Sequence, residues 1–433
     1  VSSSVTVSKQ EQRPDETRCR GSSTRVVVTG LGVITPIGIG KEAFWDNLVN
    51  GVSGIGPITR FDASDYPTRI AGEVHDFDPT EFIDKRDARR MDRYAQFAVA
   101  AAKMAIEDAE LDISSVDPGR VAVVVGSGIG GIETFVAEFE KLYVLGPTRV
   151  SPVFIPMMIS NMAAGQISII CGVKGPNLSV ATACATSSHA IGDAARIIRS
   201  GEADVAIAGG SEAAVVSLGI AGFCANRALS TRNDAPEQAS CPFDKRRDGF
   251  VMSEGAGILI LESLEHAKAR GAQIYAELAG FGMTADAYHI VAPDPTGDGA
   301  ASAIHTALSM AGLNPEDVDY VNAHGTSTPL GDKAETKAIR VAFGEHADRL
   351  KVSSNKSMIG HMLGAAGAVE AVATVMTVKE QIIPPTINYM EPDPECDLDY
   401  VPNHAVKAEV RAAISNSFGF GGHNSVLAFR RVE

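Results

Sequence analysis

Four groups in this 433-residue sequence combine residue types and spacings that can do chemistry: Cys184, His324, the pair Lys356 and His361, and a glycine-rich loop at 416–425. Cys184 lies in VKGPNLSVATACATSSHAIGDAARIIRSG (173–201). A short apolar, β-branched run (178–182) leads into a turn. Ala190, Ile191, Ala194, Ala195 and Ile198 then recur at helical spacing, and Gly201 marks the stop. A thiol between a strand and the first turn of a helix is close to unpaired N–H groups and to the positive end of the macrodipole, a placement expected to favour the thiolate. Strand–nucleophile–helix is also the elbow that displays an acyl-transfer nucleophile. Small neighbours (Ala183, Ala185, Thr186, Ser187) are expected to leave the sulfur little shielded. A cysteine buried for packing alone fits the same stretch.

The company it keeps is more telling. VNAHGTSTPLGD (321–332) reads as a strand ending at His324, followed by hydroxyls at Thr326, Ser327 and Thr328. SSNKSMIGHMLGAAGA (353–368) carries Lys356 and His361 on one loop before an Ala/Gly-rich helix, and NSFGFGGHNS (416–425) has the glycines to turn sharply and present N–H groups. The first three groups follow predicted strands, where open α/β sheets bind ligands. Taken singly, the histidines read as structural, the lysine as solvated and the glycine loop as a turn. GSGIGG (126–131) looks like a dinucleotide fingerprint but lacks the early position and βαβ context. One cysteine and two histidines could ligate zinc, although no close-spaced ligand pairs support it.

The elements around these loops alternate. RVVVTGLG from Arg25, VAVVVGSGIGG (121–131) and ADVAIAGGSEA (203–213) read as strands ending in glycine turns, with later strands at 320–323, 351–354 and 413–416. Helical patterns cover 95–109, 334–343 and 364–380. This alternation predicts an α/β fold with buried, largely parallel sheets. The length exceeds what one core sustains, and a division near 271 separates a unit with Cys184 (25–270) from one with the His, Lys and glycine loops (271–433). Residues 1–24 are polar and Ser-rich and are predicted to be disordered. They lack the apolar core of a secretory signal, and Glu11, Asp15 and Glu16 suit a transit peptide poorly. The expected location is the cytoplasm, or plastid stroma if this segment is the remnant of a transit sequence.

The formal charge of −15 argues against a nucleic-acid binder and requires any acidic partner to meet a local basic patch. Six scattered cysteines predict reduced thiols. The uncharged run 150–173 is interrupted by Pro152, Pro156, Asn161 and Gln166, which predicts core or interface and no membrane insertion.

TACATS around Cys184, NAHGTSTPLGD around His324, KSMIGH around Lys356 and His361, and NSFGFGG near the end resemble, in this order, the β-ketoacyl-acyl-carrier-protein synthases, above all the elongating type II enzymes; the resemblance runs over about 25–429. It implies the thiolase fold, two similar α/β halves in a five-layered αβαβα arrangement, usually as a homodimer. It implies a decarboxylating Claisen condensation with Cys184 as nucleophile, the N–H groups of Cys184 and Phe420 as oxyanion hole, His324 and His361 as neutral donors to the enolate, and Lys356 as their electrostatic support. By the same resemblance Thr326 and Thr328 touch the phosphopantetheine arm, and Ile129, Phe154, Phe223 and Phe420 line or gate the acyl pocket. Glu370 compensates the buried cationic cluster. Lys85, Arg86, Arg89 and Arg90 (KRDARR) dock the acidic acyl carrier protein, and no metal or redox cofactor is needed. His423 and Asn355 stand where many bacterial relatives carry Thr, and Thr or Ser. A degradative thiolase would need a second cysteine in the GFGGHN loop. A starter enzyme would favour Cys-His-Asn, and a cysteine hydrolase gives no reason for the second His and the Lys. A discrete polyketide ketosynthase runs the same reaction, and a chain-length scaffold subunit would lack the nucleophile.

Overall fold

The computed structural model describes residues 24–432, so the N-terminal segment predicted to be disordered lies, apart from Thr24, outside the described residues. Ten strands carry the architecture: β1 (Val26–Thr35), β2 (Val121–Gly126), β3 (Asn177–Leu178), β4 (Val205–Glu212), β5 (Gly255–Ser263), β6 (Ala276–Ala285), β7 (Tyr320–Asn322), β8 (Lys351–Ser353), β9 (Ala412–Gly419) and β10 (His423–Arg430). Their order across the sheet is β8-β7-β9-β10-β6-β1-β5-β4-β2-β3, with the short strand Gly38–Ile39 added on β1. Adding five to each label of β1-β5-β4-β2-β3 gives β6-β10-β9-β7-β8. The parallel and antiparallel pairings match one for one, so the chain folds the same unit twice. The two units meet where β1 pairs with β6 over two residues, Val27 with Glu277 and Val28 with Ala276.

Helices repeat in the same way: α1 (Arg93–Asp108), α2 (Met162–Cys171) and α3 (Thr186–Arg199) in the first half, α4 (Asp298–Ala311), α5 (Gly331–Phe343) and α6 (Ala366–Glu380) in the second. Strand alternation sorts the layers. Val121, Val123 and Val125 join one core with α1 and α2, while Ala122 and Val124 face the central helices α3 and α6. Ile414, Val426 and Ala428 pack with α4 and α5 in a third core. The result is five layers, helix–sheet–helix–sheet–helix. Close packing of the outer helices needs glycine in both halves. A Cβ at Gly32 would lie 1.9 Å from the Ala101 carbonyl oxygen, and one at Gly282 1.9 Å from that of Ala303.

One expectation is corrected. The sheet is mixed rather than largely parallel, because β9 and β10 are joined by residues 420–422 alone, and so short a link can connect only antiparallel neighbours. The uncharged run 150–173 divides between the two places expected of it: Ala163, Ala164, Ile167 and Val173 are buried in the core, while Ile155 and Ile169 are exposed on this single chain.

Candidate active site

Cys184 occupies a 3-10 turn, Ala183–Ala185, that runs directly into α3. Ala183 has φ +50, a conformation that non-glycine residues rarely adopt. The Thr186 hydroxyl fixes the turn: it accepts the Thr182 N–H at 2.9 Å and donates to the Ala183 carbonyl at 2.7 Å. The second half repeats the elbow as Leu363–Ala365 before α6, with Leu363 at φ +47 and Gly364 in the place of Cys184. His361 enters just ahead of that turn. It is held by its own N–H to the Val251 carbonyl (2.8 Å) and by the Ser253 N–H to its carbonyl (3.0 Å).

The duplication brings the ionisable groups together. His361 Nε2 is 3.0 Å from Cys184 Sγ, and the His324 and His361 rings meet edge to face at 5.3 Å. The reactive N or S atoms of Cys184, His324 and His361 all lie within 4.8 Å of one another. Lys356 Nζ lies 3.4 Å from His324 Nδ1 and forms a fully buried ion pair with Glu370 on α6. The backbone N–H groups of Phe420 and of Cys184 itself both bear on the sulfur. Gly419 lets this loop lie against the elbow, since a Cβ there would come within 2.8 Å of the Thr182 carbonyl oxygen and 3.1 Å of the Cys184 nitrogen.

Burial dominates the electrostatics. It pushes the Cys184 thiol up to about 11, against the Lys356 charge and the two N–H groups. Cys184 is only 8% exposed, so the expected thiolate and the unshielded sulfur are both corrected: desolvation outweighs the helix terminus. Burial, then the Lys356 charge, holds both histidines well below the usual imidazole range, and both are neutral. Glu370 is pushed up to about 7 by burial, with Lys356 opposing.

A mostly apolar cavity of about 400 Å³ opens over this cluster. Cys184, His324, His361, Thr326, Thr328, Phe223 and Phe420 line it; the two threonine hydroxyls are 3.0 Å apart and the two phenyl rings 6.2 Å. Ile129 and Phe154 do not line it. Ile129 is partly exposed, and Phe154 lies against Phe135. Lys85, Arg86, Arg89 and Arg90 are exposed on and just after the short helix Lys85–Ala88, away from the cavity lining. Asn355 is buried with neither side-chain polar atom partnered among the described residues, and His423 is exposed with its ring 6.4 Å from His189.

Three residues escaped the sequence reading. Glu335 accepts the backbone N–H groups of His324 (2.8 Å) and Gly325 (2.7 Å) and the Asn416 amide (3.0 Å), and so aims the His324 loop. In GDKAETKAIR it is indistinguishable from a solvated helix face. Arg227 lies at the exposed rim of the cavity. Glu212 closes a strand of small residues, and an acid among them was the only signal.

Sequence models of the family match most of the chain: "Beta-ketoacyl synthase, N-terminal domain" over residues 23–267 and "Beta-ketoacyl synthase, C-terminal domain" over 275–390. The chain is 57% identical to a 3-oxoacyl-[acyl-carrier-protein] synthase 2 of Synechocystis sp., over 94% of this chain and 98% of that protein. It is 54% identical to a 3-oxoacyl-[acyl-carrier-protein] synthase 2 of Staphylococcus aureus, over 94% and 99%. Among solved structures, a β-ketoacyl synthase from Burkholderia phymatum superposes with a TM-score of 0.88 at 36% identity, covering 95% of this chain and all of that one. A ketosynthase solved in complex with a type II polyketide acyl-carrier protein and bound to the hexaketide gives 0.87 at 39%, over 94% and 100%. Among the described residues, no helix is long and apolar enough to cross a membrane.

Proposed function

The chain belongs to the β-ketoacyl synthase family, and from that premise we propose that it is the elongating 3-oxoacyl-[acyl-carrier-protein] synthase of fatty acid synthesis, with Cys184 as the acyl acceptor. The observation that carries the reading is the 3.0 Å approach of His361 Nε2 to Cys184 Sγ beneath an apolar cavity, with a second neutral histidine at its side.

The steps follow from the groups present. The thiol is buried and protonated at rest, so His361 takes its proton as sulfur attacks the acyl thioester; the carrier's thiol leaves with that proton. The N–H groups of Cys184 and Phe420 face the oxyanion, and one such donor is typically worth about 10²–10³ in rate. Malonyl thioester then loses carbon dioxide, and its electron pair passes into an enolate whose oxygen takes hydrogen bonds from His324 and from His361, whose ring proton has by then moved from Nδ1 to Nε2. Burial, reinforced by the Lys356 charge, keeps both rings uncharged, and Lys356 bears directly on His324 Nδ1. The enolate carbon attacks the acyl-Cys184 carbonyl, the C–S bond breaks, and the leaving sulfur takes up one proton from solvent, the proton that decarboxylation of the malonyl carboxylate consumes overall. The balance closes without metal or redox cofactor.

The partner in this reading is an acidic acyl carrier protein meeting Lys85, Arg86, Arg89 and Arg90, with its arm passing Thr326 and Thr328. A second copy of this chain covers the apolar surface left bare on one protomer, where Tyr143 is 85% exposed, Val144 75% and Ile169 72%. The five free cysteines among the described residues suit a reducing cytoplasm or stroma. A polyketide ketosynthase would use the same site, but identity is higher to the two synthases, 57% and 54%, than to the polyketide complex, 39%. A scaffold subunit would lack the nucleophile. The test is intact mass of product and enzyme with malonyl carrier protein and acyl carriers from two to sixteen carbons. Two-carbon extension with a Cys184 adduct is expected. An adduct without extension, or none with any donor, overturns the reading.

A further inference from the structure

Two consecutive residues at the start of α3 reach the hairpin that carries Phe420. Ser188 Oγ lies 2.8 Å from Ser417 Oγ on β9. The buried ring of His189 has Thr182 Oγ1 at 2.7 Å from Nδ1, and the Asn424 backbone on β10 as a hydrogen-bond partner. Thr182 belongs to the elbow just before Cys184, and Asn424 pairs with Phe418 at the base of the 419–422 loop. His189 does not line the cavity, so it meets no substrate, and no step of the condensation uses it. Burial, then His423, pushes its imidazole below the usual range against Asp193 and the carbonyls of Ala185 and Asn424, so the ring is neutral. A neutral ring has one N–H and one acceptor nitrogen. A carbonyl can only accept, so the tautomer is assigned with Thr182 donating to Nδ1 and the Nε2 proton on the Asn424 carbonyl. Further ties of the hairpin run to the loop after β6: Asn424 Nδ2 donates to Asp286 Oδ1 at 2.6 Å, and the Gly421 N–H to the Ile290 carbonyl at 2.9 Å.

We propose that His189 is a positioning residue for the oxyanion hole: by tying Thr182 of the elbow to Asn424 of the hairpin, it holds the Cys184 and Phe420 N–H groups at one mutual spacing. This rests on the condensing reading of the site. The two donors come from different halves of the fold, and a tetrahedral oxyanion needs both within hydrogen-bond reach at once. Without the ring the hairpin keeps its ties to the loop after β6, so the Phe420 N–H follows that loop rather than the elbow. His189→Ala removes both ends of the tie. Thr182→Val removes the hydroxyl end alone and keeps the shape of the turn.

The measurement compares two reactions of Cys184 in the wild type and both variants, followed by intact mass, with thermal unfolding to show that each is folded. Acylation by a hexanoyl thioester of N-acetylcysteamine passes through an oxyanion. Alkylation by iodoacetamide does not, because the S–C bond forms at a saturated carbon as C–I breaks. For His189→Ala, acylation at saturating thioester slows by about tenfold or more, while alkylation changes by less than about twofold. Thr182→Val shifts in the same direction by less. Acylation at the wild-type rate, or an equal fall in both reactions in folded protein, overturns the proposal and leaves the condensing reading intact. If His189→Ala does not fold, Thr182→Val decides by the same criterion. Wild-type protein that takes no acyl group from the thioester or from any acyl carrier overturns the condensing reading, and this proposal with it.

Discussion

His361 Nε2 points at Cys184 Sγ from 3.0 Å, although the two residues belong to different halves of the duplicated fold. Only Nε2 has a partner; Nδ1 is buried without one among the described residues. Cys184→Ala therefore abolishes both acyl-enzyme formation and condensation, and a variant that still acquires an acyl mass would refute the nucleophile. His361→Ala retains the thiol but lowers condensation by about 10²–10⁴, the usual range for removing an acid–base group.

The pH behaviour follows from burial. Both histidines lie well below 6.5, so they become charged only in more acidic solution, and condensation is retained at pH 6 rather than halved there. Cys184 is raised to about 11, so alkylation by iodoacetamide in the resting enzyme keeps accelerating with pH through 9. A plateau below pH 8 contradicts this. Lys356→Ala removes the charge that opposes the shift and moves the alkylation profile further upward.

The buried Lys356–Glu370 pair gives an asymmetric expectation. Removing one partner leaves a lone charge in the core, and stability drops by about 3–5 kcal/mol. In the double variant Lys356→Met/Glu370→Leu that penalty is largely recovered, while condensation stays impaired because His324 has lost its cationic neighbour. Urea melts of the single and double variants, each beside a condensation assay, separate the two roles.

Charge reversal at Arg89 and Arg90 raises KM for carrier-bound substrate and spares a free thioester analogue. These side chains are exposed and away from the cavity, so an equal loss on both substrates sinks the docking role.

Glu262 tests the scaffold. Burial would raise its pKa, but hydrogen bonds from His266 (2.5 Å), Arg270 and Thr29 hold it at about 2. A carboxylate lowered on folding contributes stability above its unfolded pKa and loses it as pH falls from about 4.5 towards 2, and a shift of this size corresponds to about 3 kcal/mol. Glu262→Gln should therefore destabilise at pH 7, and the gap to wild type should shrink by pH 3 in chemical denaturation.

The chemistry-bearing residues were legible because each sits in a stretch whose neighbours are constrained: small residues around the Cys184 elbow, and glycines where 419–422 must pass over it. What could not be read was energy that depends on depth. Cys184 looks exposed in a row of alanines and serines, but α6 and the 419–422 loop cover it, and nothing local in the sequence sets that desolvation. Glu335 and Glu212 were missed for the same reason: an acid aimed inward at backbone N–H groups has no periodicity to announce it. The mixed sheet was hidden because buried strands have the same apolar composition in either direction.

β10 is the last strand made, yet it is inserted between β9 and β6 in the interior of the sheet. Phe420, which brings an N–H to the sulfur, immediately precedes it. During synthesis, Cys184 and its elbow leave the ribosome more than two hundred residues before the strand that completes their site. The nascent chain thus carries its thiol for a long stretch of translation before His324, then His361, and last the Phe420 N–H are made. Catalytic competence arrives in one step, when synthesis has passed residue 430 and the second sheet closes.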